Sequence, residues 1–325
     1  MSDTIYAVTR VHNQEQNMLD RADLDRLISA KTVPEALRHL RDRGWGAQDL
    51  PEGDADALIA YEQGRTWALV EELTKDLKPF ALFRVNADYQ NLKAAIKFAN
   101  ARHAAGDALR YMLPGGTIPP DKLIKAAQER DYSGLPPEMA AVAGRATEAL
   151  LHAGSGQIAD LLMDAGALTA IHAAGKASPS ALMRLYARVT VDGAIARIAL
   201  RAARMRLQRD ALEIAIPPAG SLDRKAVIAA ALIGPEAVLQ ALESTEYAGA
   251  AAEGQRSASA MERWFDDYLM EKLRPQRRVY EGYDPIAAYL IGREREIDAV
   301  RLILAALTNH IAGDKAQERL RALYV

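Results

Sequence analysis

The sequence predicts an all-α chain built from three tandem copies of one helical bundle. Three observations carry that prediction. Of the 325 residues 50% are hydrophobic but only 6% aromatic; alanine is abundant, and runs of valine, isoleucine, threonine and tyrosine are almost absent, which favours helices over sheets. The stretches Asp88-Tyr-Gln-Asn-Leu-Lys93, Asp192-Gly-Ala-Ile-Ala-Arg197 and Glu296-Ile-Asp-Ala-Val-Arg301 recur, each 104 residues after the last. Apolar columns follow them in register: Leu92, Ala196 and Val300; Ala95, Ala199 and Ile303; Ile96, Leu200 and Leu304; Ala99, Ala203 and Leu307. Steps of three and four put these on one helical stripe. The third observation is a helix ending in a polar residue, an aromatic and small residues, met at Glu35 to Trp45, Lys122 to Tyr132 and Glu236 to Tyr247.

Helix starts are well marked. Thr32-Val-Pro34-Glu35 reads as a capping box with an early proline, and Ser178-Pro179 and Tyr283-Asp284-Pro285 put proline at a first turn. The elements expected in order are helices over 5–18, 22–30, 33–43, 54–77, 87–104, 121–131, 137–152, 156–174, 179–212, 222–232, 235–244, 256–274, 285–309 and 314–323. Turn chemistry separates them at Leu113-Pro-Gly-Gly-Thr117, Gly134-Leu-Pro-Pro137, Ile216-Pro-Pro-Ala-Gly220 and from Gly249 to Gly254. Boundaries near 105 and 213 divide the chain into domains 1–104, 105–213 and 214–325, each a helical bundle.

Charge and composition narrow the function. A formal charge of −2 gives no global pull on nucleic acid or an anionic bilayer. With no cysteine in the chain, disulfides and thiolate chemistry are excluded, and a reducing compartment fits. No basic flank precedes an apolar core near the N-terminus, and no apolar run approaches the ~18 residues of a membrane span. A cytoplasmic location is the expectation.

Within the repeat, acid and base lie five residues apart, about 140° around a helix, so they cannot pair with each other. The acids Asp88, Asp192 and Glu296 are expected in the first turn of their helices, satisfying amide N–H groups and the positive dipole end; the alternative is that three copies present acids and bases around a shared axis to a partner. Arg197, Arg201 and Arg204 share a basic face, and Lys272, Arg274, Arg277 and Arg278 form a second cluster. The first reads as solvated surface or a docking face for an acidic partner, the second as a solvated turn or a contact for lipid head groups or acidic loops.

Other chemistry is missing. Asp266-Asp267 resembles the magnesium-binding pair of helical prenyl-chain synthases, but Met270 stands where a third acid is needed. The histidines His12, His39, His103, His152, His172 and His310 show no ligand spacing and read as structural or surface residues. Gly115-Gly116 is not followed by Lys-Ser or Lys-Thr, and Gly154-Ser155-Gly156 lacks the spacing of a strained nucleophile turn. The reading is no catalytic residue, no cofactor, no metal and no small-molecule substrate.

The pattern resembles the C-type subunit of the V-type and archaeal-type rotary ATPases, a family that includes the eukaryotic d-type subunit. The likeness rests on Asn86-Ala-Asp88-Tyr-Gln-Asn91-Leu-Lys93, Leu113-Pro-Gly, Val189-Thr-Val-Asp192 to Arg197, Ala288-Tyr-Leu, Glu296-Ile297, Val300-Arg301-Leu-Ile-Leu304 and Leu320-Arg-Ala-Leu-Tyr324-Val325. The resemblance implies a pseudo-threefold funnel of three helical domains. It also implies a non-catalytic socket that receives the central-stalk subunits of the D and F type and sits on the membrane proteolipid ring, peripheral to the membrane, coupling shaft to ring for proton or sodium transport. The family tends to carry asparagine at the fourth motif position; this chain keeps Asn91 but has Ile195 and Ala299. A helical-repeat adaptor for soluble proteins is the competing reading, although a repeat of this length exceeds the ~34 to 47 residues of common solenoids.

Overall fold

The computed structural model describes residues 2–101, 108–152 and 155–325. Every regular element among them is helical. In chain order the α-helices are α1 (Ser2–Glu15), α2 (Arg21–Ser29), α3 (Val33–Asp42), α4 (Ala55–Thr74), α5 (Val85–Asn100), α6 (Pro120–Glu129), α7 (Pro137–His152) and α8 (Gly156–Ala177). They continue as α9 (Ala181–Met205), α10 (Arg209–Ala215), α11 (Arg224–Ile233), α12 (Pro235–Glu243), α13 (Ala248–Arg256), α14 (Ala258–Leu273), α15 (Asp284–Thr308) and α16 (Gly313–Arg319). Two 3-10 turns, Lys78–Phe83 and Arg274–Arg278, complete the set.

Helix starts follow local chemistry. Asp20 caps α2 by accepting from the Asp23 amide at 2.9 Å, and Asp23 accepts back from the Asp20 amide at 3.1 Å. At α3 the expected box is modified: Thr32 Oγ1 accepts the Glu35 amide at 3.4 Å, but the Glu35 carboxylate takes the Lys31 amide at 2.9 Å. At α9 the cap falls on Ser180, whose Oγ accepts from the Met183 amide at 2.9 Å.

Two expectations are corrected. The helix expected over 179–212 is two helices, because Arg206 adopts φ 53 and stops α9. The Arg206 and Leu207 amides turn back to the Ala203 and Ala202 carbonyls, a left-handed C-terminal cap in which arginine takes the position glycine usually fills. The stretch Gly249 to Gly254, expected as a turn, lies inside α13. Its glycines serve packing instead: a Cβ at Gly249 would collide with Trp264, and one at Gly254 would stand 2.5 Å from Leu239 Cδ2. The boundary expected at 104 and residues 102–104 of a helix expected over 87–104 lie outside the described residues, as does His103. The position 213 falls within α10.

The chain divides into two compact units, one of Met1–Leu77, Ser180–Met183 and Asp266–Val325, the other of Lys78–Pro179 and Arg184–Phe265. In the first unit α15 is the axis, buried for most of its length. Its Ile297, Val300, Ile303 and Leu304 pack with Leu24, Leu27, Leu37, Leu40 and Trp45. In the second unit α5 lies against α6, α7 and α8. Tyr89, Leu92 and Ile96 meet Leu123, Met139, Leu162 and Met163 there. The first three apolar columns of the repeat are buried at every position, which fixes the inward face of α5, α9 and α15.

Candidate functional site

The three repeated acids are buried and hold loops. Asp88 Oδ1 accepts from the amides of Thr117 at 2.7 Å and Ile118 at 2.9 Å, 29 and 30 residues further on, and its Oδ2 accepts from the Thr117 hydroxyl at 2.6 Å. Asp192 does the same at the same offsets. Its Oδ1 takes the Ser221 and Leu222 amides at 2.7 and 3.4 Å, and its Oδ2 takes the Ser221 hydroxyl at 2.6 Å and the Tyr247 hydroxyl at 2.7 Å. Burial, with the Asp192 hydrogen bond adding, raises the Tyr247 phenol so that it stays a donor. A buried carboxylate is costly unless its oxygens are filled, and here neutral donors fill them.

Glu296 meets a different partner set. Its Oε1 accepts from the amide of Leu19, 277 residues away in the chain, at 2.9 Å. Arg293 Nη1 stands 2.8 Å from Glu296 Oε2, and Arg293 Nη2 lies 2.6 Å from Glu62 Oε2. Glu62 also accepts from the Gly46 amide at 2.8 Å, pairs with Arg65 at 2.7 Å, and the Arg293 guanidinium lies 5.1 Å from the Trp45 ring centre. Burial works to lower the Arg293 pKa, but Glu296, Tyr289 and Glu62 outweigh it. Burial raises Glu296 despite the opposing help of Arg293 and the Leu19 amide.

Of the acids, only Asp88 lies in the first turn of its helix; Asp192 and Glu296 sit in the middle of α9 and α15. Their amide donors come from the loop entering another helix: Ile118 precedes α6, Leu222 precedes α11 and Leu19 precedes α2. Glycine stands before the hydroxyl residue at both Thr117 and Ser221, as Gly116 and Gly220. A Cβ at Gly116 would stand 2.5 Å from Asp88 Oδ1, and one at Gly220 (φ +81) would collide with Asp192. Asn91 clamps Leu113 from both sides, donating to its carbonyl at 3.0 Å and accepting from its amide at 2.6 Å. The positions 104 residues on are Ile195 and Pro217. Proline has no N–H, so the accepting half of the clamp has no donor to meet there.

The repeated bases lie elsewhere. Lys93 pairs with Asp164 at 2.6 Å, Arg197 with Glu262 at 3.9 Å and Arg301 with Asp298 at 2.6 Å. Arg201 and Arg204 share the exposed face of α9 with Arg197, and neither has a partner among the described residues. In the second cluster Arg274 donates to the Leu323 carbonyl at 2.9 Å, Arg277 approaches Glu15 at 3.9 Å, Lys272 covers the Tyr268 ring, and Arg278 is exposed. Asp266 pairs with Arg295 and Arg321 at 2.8 and 2.9 Å, while Asp267 accepts the Ala322 amide at 2.8 Å. The carboxylates that resembled a metal pair therefore hold the C-terminal segment. His172 Nδ1 accepts the Gly220 amide at 3.2 Å, and His12 stacks edge-on against Tyr280. The side chain of His152 lies outside the described residues.

Among the described residues no group of three histidine, aspartate or glutamate side chains has metal-holding geometry, and no helix is long and apolar enough to cross a membrane. The hydroxyls of Thr117, Ser221 and Tyr247 and the Arg293–Glu62 pair escaped sequence reasoning; the same +104 register that found the acids would have found Gly116-Thr117 against Gly220-Ser221. Comparison with curated proteins gives no match. A family profile does, described as ATP synthase (C/AC39) subunit and spanning residues 7–319. With nearly the whole chain covered, and buried acids recurring on a strict helical register, this protein belongs to the ATP synthase (C/AC39) subunit family.

Proposed function

We propose that the chain is the non-catalytic socket of a V/A-type rotary ATPase, gripping D- and F-type stalk subunits and resting on the proteolipid ring at the cytoplasmic membrane surface. The observation that carries the reading is the family match over residues 7–319. A part that couples a shaft to a ring has to be stiff, and the buried acids that tie each loop to a core helix supply stiffness. Three tandem copies belong to the same proposal. In it the copy beginning near 214 takes its loop from residues 17–20, because Glu296 meets the Leu19 amide as Asp88 meets Ile118 and Asp192 meets Leu222. The exposed face of Arg197, Arg201 and Arg204 is the proposed contact with an acidic partner surface.

The test is co-purification. A tagged chain drawn from gently solubilised membranes should bring stalk and proteolipid subunits with it. The double variant Arg201→Glu, Arg204→Glu should lower their yield while its circular dichroism and melting temperature stay at wild-type values. Undiminished assembly rejects the arginine face, and recovery of soluble proteins alone rejects the socket.

A further inference from the structure

The second unit contains a cleft of about 840 Å³, within the range of roughly 300–1,000 Å³ typical of small-molecule sites. Its walls are apolar, with Met139, Val142, Leu162, Ile214 and Pro217 among them, and the Thr117-Ile118 loop held by Asp88 forms one edge. Tyr89 belongs to the lining although only 2% of it is exposed. Its ring lies so close to Gly166 that a Cβ there would stand 2.8 Å from Tyr89 Cε1.

The Tyr89 hydroxyl has no hydrogen-bond partner among the described residues, and it is not among the polar atoms sealed from solvent. Three other buried tyrosines have partners, Tyr132 in Thr147, Tyr247 in Asp192 and Tyr324 in Glu15, while Tyr289 is buried beside the Arg293 and Glu296 charges. Burial, with the Glu138 charge adding, pushes the Tyr89 phenol up to about 12, so at neutral pH it keeps its proton. Because Tyr89 lines the cleft, an occupant that carries an acceptor can take the place of the water its hydroxyl would otherwise meet.

Charge at the mouth narrows the occupant. Glu138 and Arg145 both line the cleft from α7, both are exposed, and neither has an ion-pair partner among the described residues. Asp210, Glu213 and Arg224 line it too; Arg224 donates to the Ile216 and Glu213 carbonyls at 2.7 and 2.6 Å, and the Glu213 carboxylate lies 3.7 Å from Arg209. With both signs at the rim no single-sign field selects an ion, and the apolar walls behind it favour an uncharged body.

We infer that the cleft holds an uncharged, mainly apolar small molecule whose single hydrogen-bond acceptor takes the Tyr89 hydroxyl. The molecule is held, not transformed, and the inference goes beyond the socket reading without resting on it.

The probe is prodan, an uncharged naphthalene carrying one ketone, whose emission moves to the blue in apolar surroundings. Titrated against the full chain, it should show saturable binding to one site with a blue-shifted band. Tyr89→Phe keeps the cleft and removes the donor, so prodan binding should weaken about three- to tenfold, the value of one neutral hydrogen bond. Ala170→Phe fills the interior and should abolish the signal; Ala173→Trp at the exposed mouth does the same job should the first filler fail to fold. Non-saturable emission from the wild type, or a Tyr89→Phe titration that overlays it, overturns the inference. So does unchanged binding in a folded filler variant. None of these results bears on stalk co-purification, so the two readings fail separately.

Discussion

The clamp of Asp88 and Asp192 in one unit and that of Glu296 in the other solve the same problem with different donors. In the first, the loop lies 29 residues downstream and offers two amides and the hydroxyl of Thr117 or Ser221. In the second, the residue ahead of the amide donor is Met18, which has no hydroxyl. Arg293 takes over the vacant oxygen, and being a buried cation itself it draws in Glu62. With the hydroxyl gone and the Met18 amide given to the Glu15 carbonyl, a hydrogen-bonded carboxylate becomes part of a charge network of Glu296, Arg293, Glu62 and Arg65. The lesson is that neutral donors close a buried acid locally, while a charged donor spreads the cost to further residues.

Removing Glu296 should therefore do the most damage. Glu296→Ala leaves Arg293 and the Leu19 amide short of partners, and should cost about 3–5 kcal/mol in urea unfolding. Asp192→Ala strands neutral donors only and should cost about 2–4 kcal/mol, with Asp88→Ala below it because Tyr247 has no counterpart there. An Asp192→Ala loss larger than that of Glu296→Ala would break the comparison. Gly220→Ala forces a left-handed residue and pushes on Asp192, so a loss of about 2–3 kcal/mol is expected; Gly116→Ala, free of the backbone strain, should lose less. The smallest effect is a pH dependence. Burial, with Asp298 adding and the Trp67 hydrogen bond opposing, pushes Glu294 up to about 8 from the usual 4.5. The folded state then binds the extra proton, so stability should fall as pH rises from about 4.5 to about 8. Glu294→Gln should shrink the difference in melting temperature between pH 5 and pH 9 by roughly 2–5 °C; an unchanged difference would assign the slope to other groups.

Much of the helical frame was legible because its signals are local. The apolar columns of α5, α9 and α15 repeat at helical steps, and proline marks the starts of α3 and α15. The stop at Arg206 was not legible, since arginine in a left-handed cap carries no compositional mark. Gly249 and Gly254 read as a turn because sequence cannot tell a glycine chosen for backbone freedom from one chosen for Trp264 and Leu239. The acids of the candidate site were visible as a column, but their role was not. The donor of Glu296 sits at Leu19, and no spacing rule links positions 277 residues apart. Likewise the cluster around Arg274 looked uniformly free until the Leu323 carbonyl and Glu15 claimed two of its members.

Asn91 grips Leu113 through both its amide atoms, whereas 104 residues on the chain has Ile195 and Pro217, two substitutions that answer each other. Asparagine at 195 alone would bring a side-chain oxygen that Pro217, lacking an N–H, cannot serve, and replacing Pro217 alone would add a backbone N–H that isoleucine cannot accept. Each single replacement should therefore cost stability that replacing both together restores, a coupling that a double-mutant cycle reads.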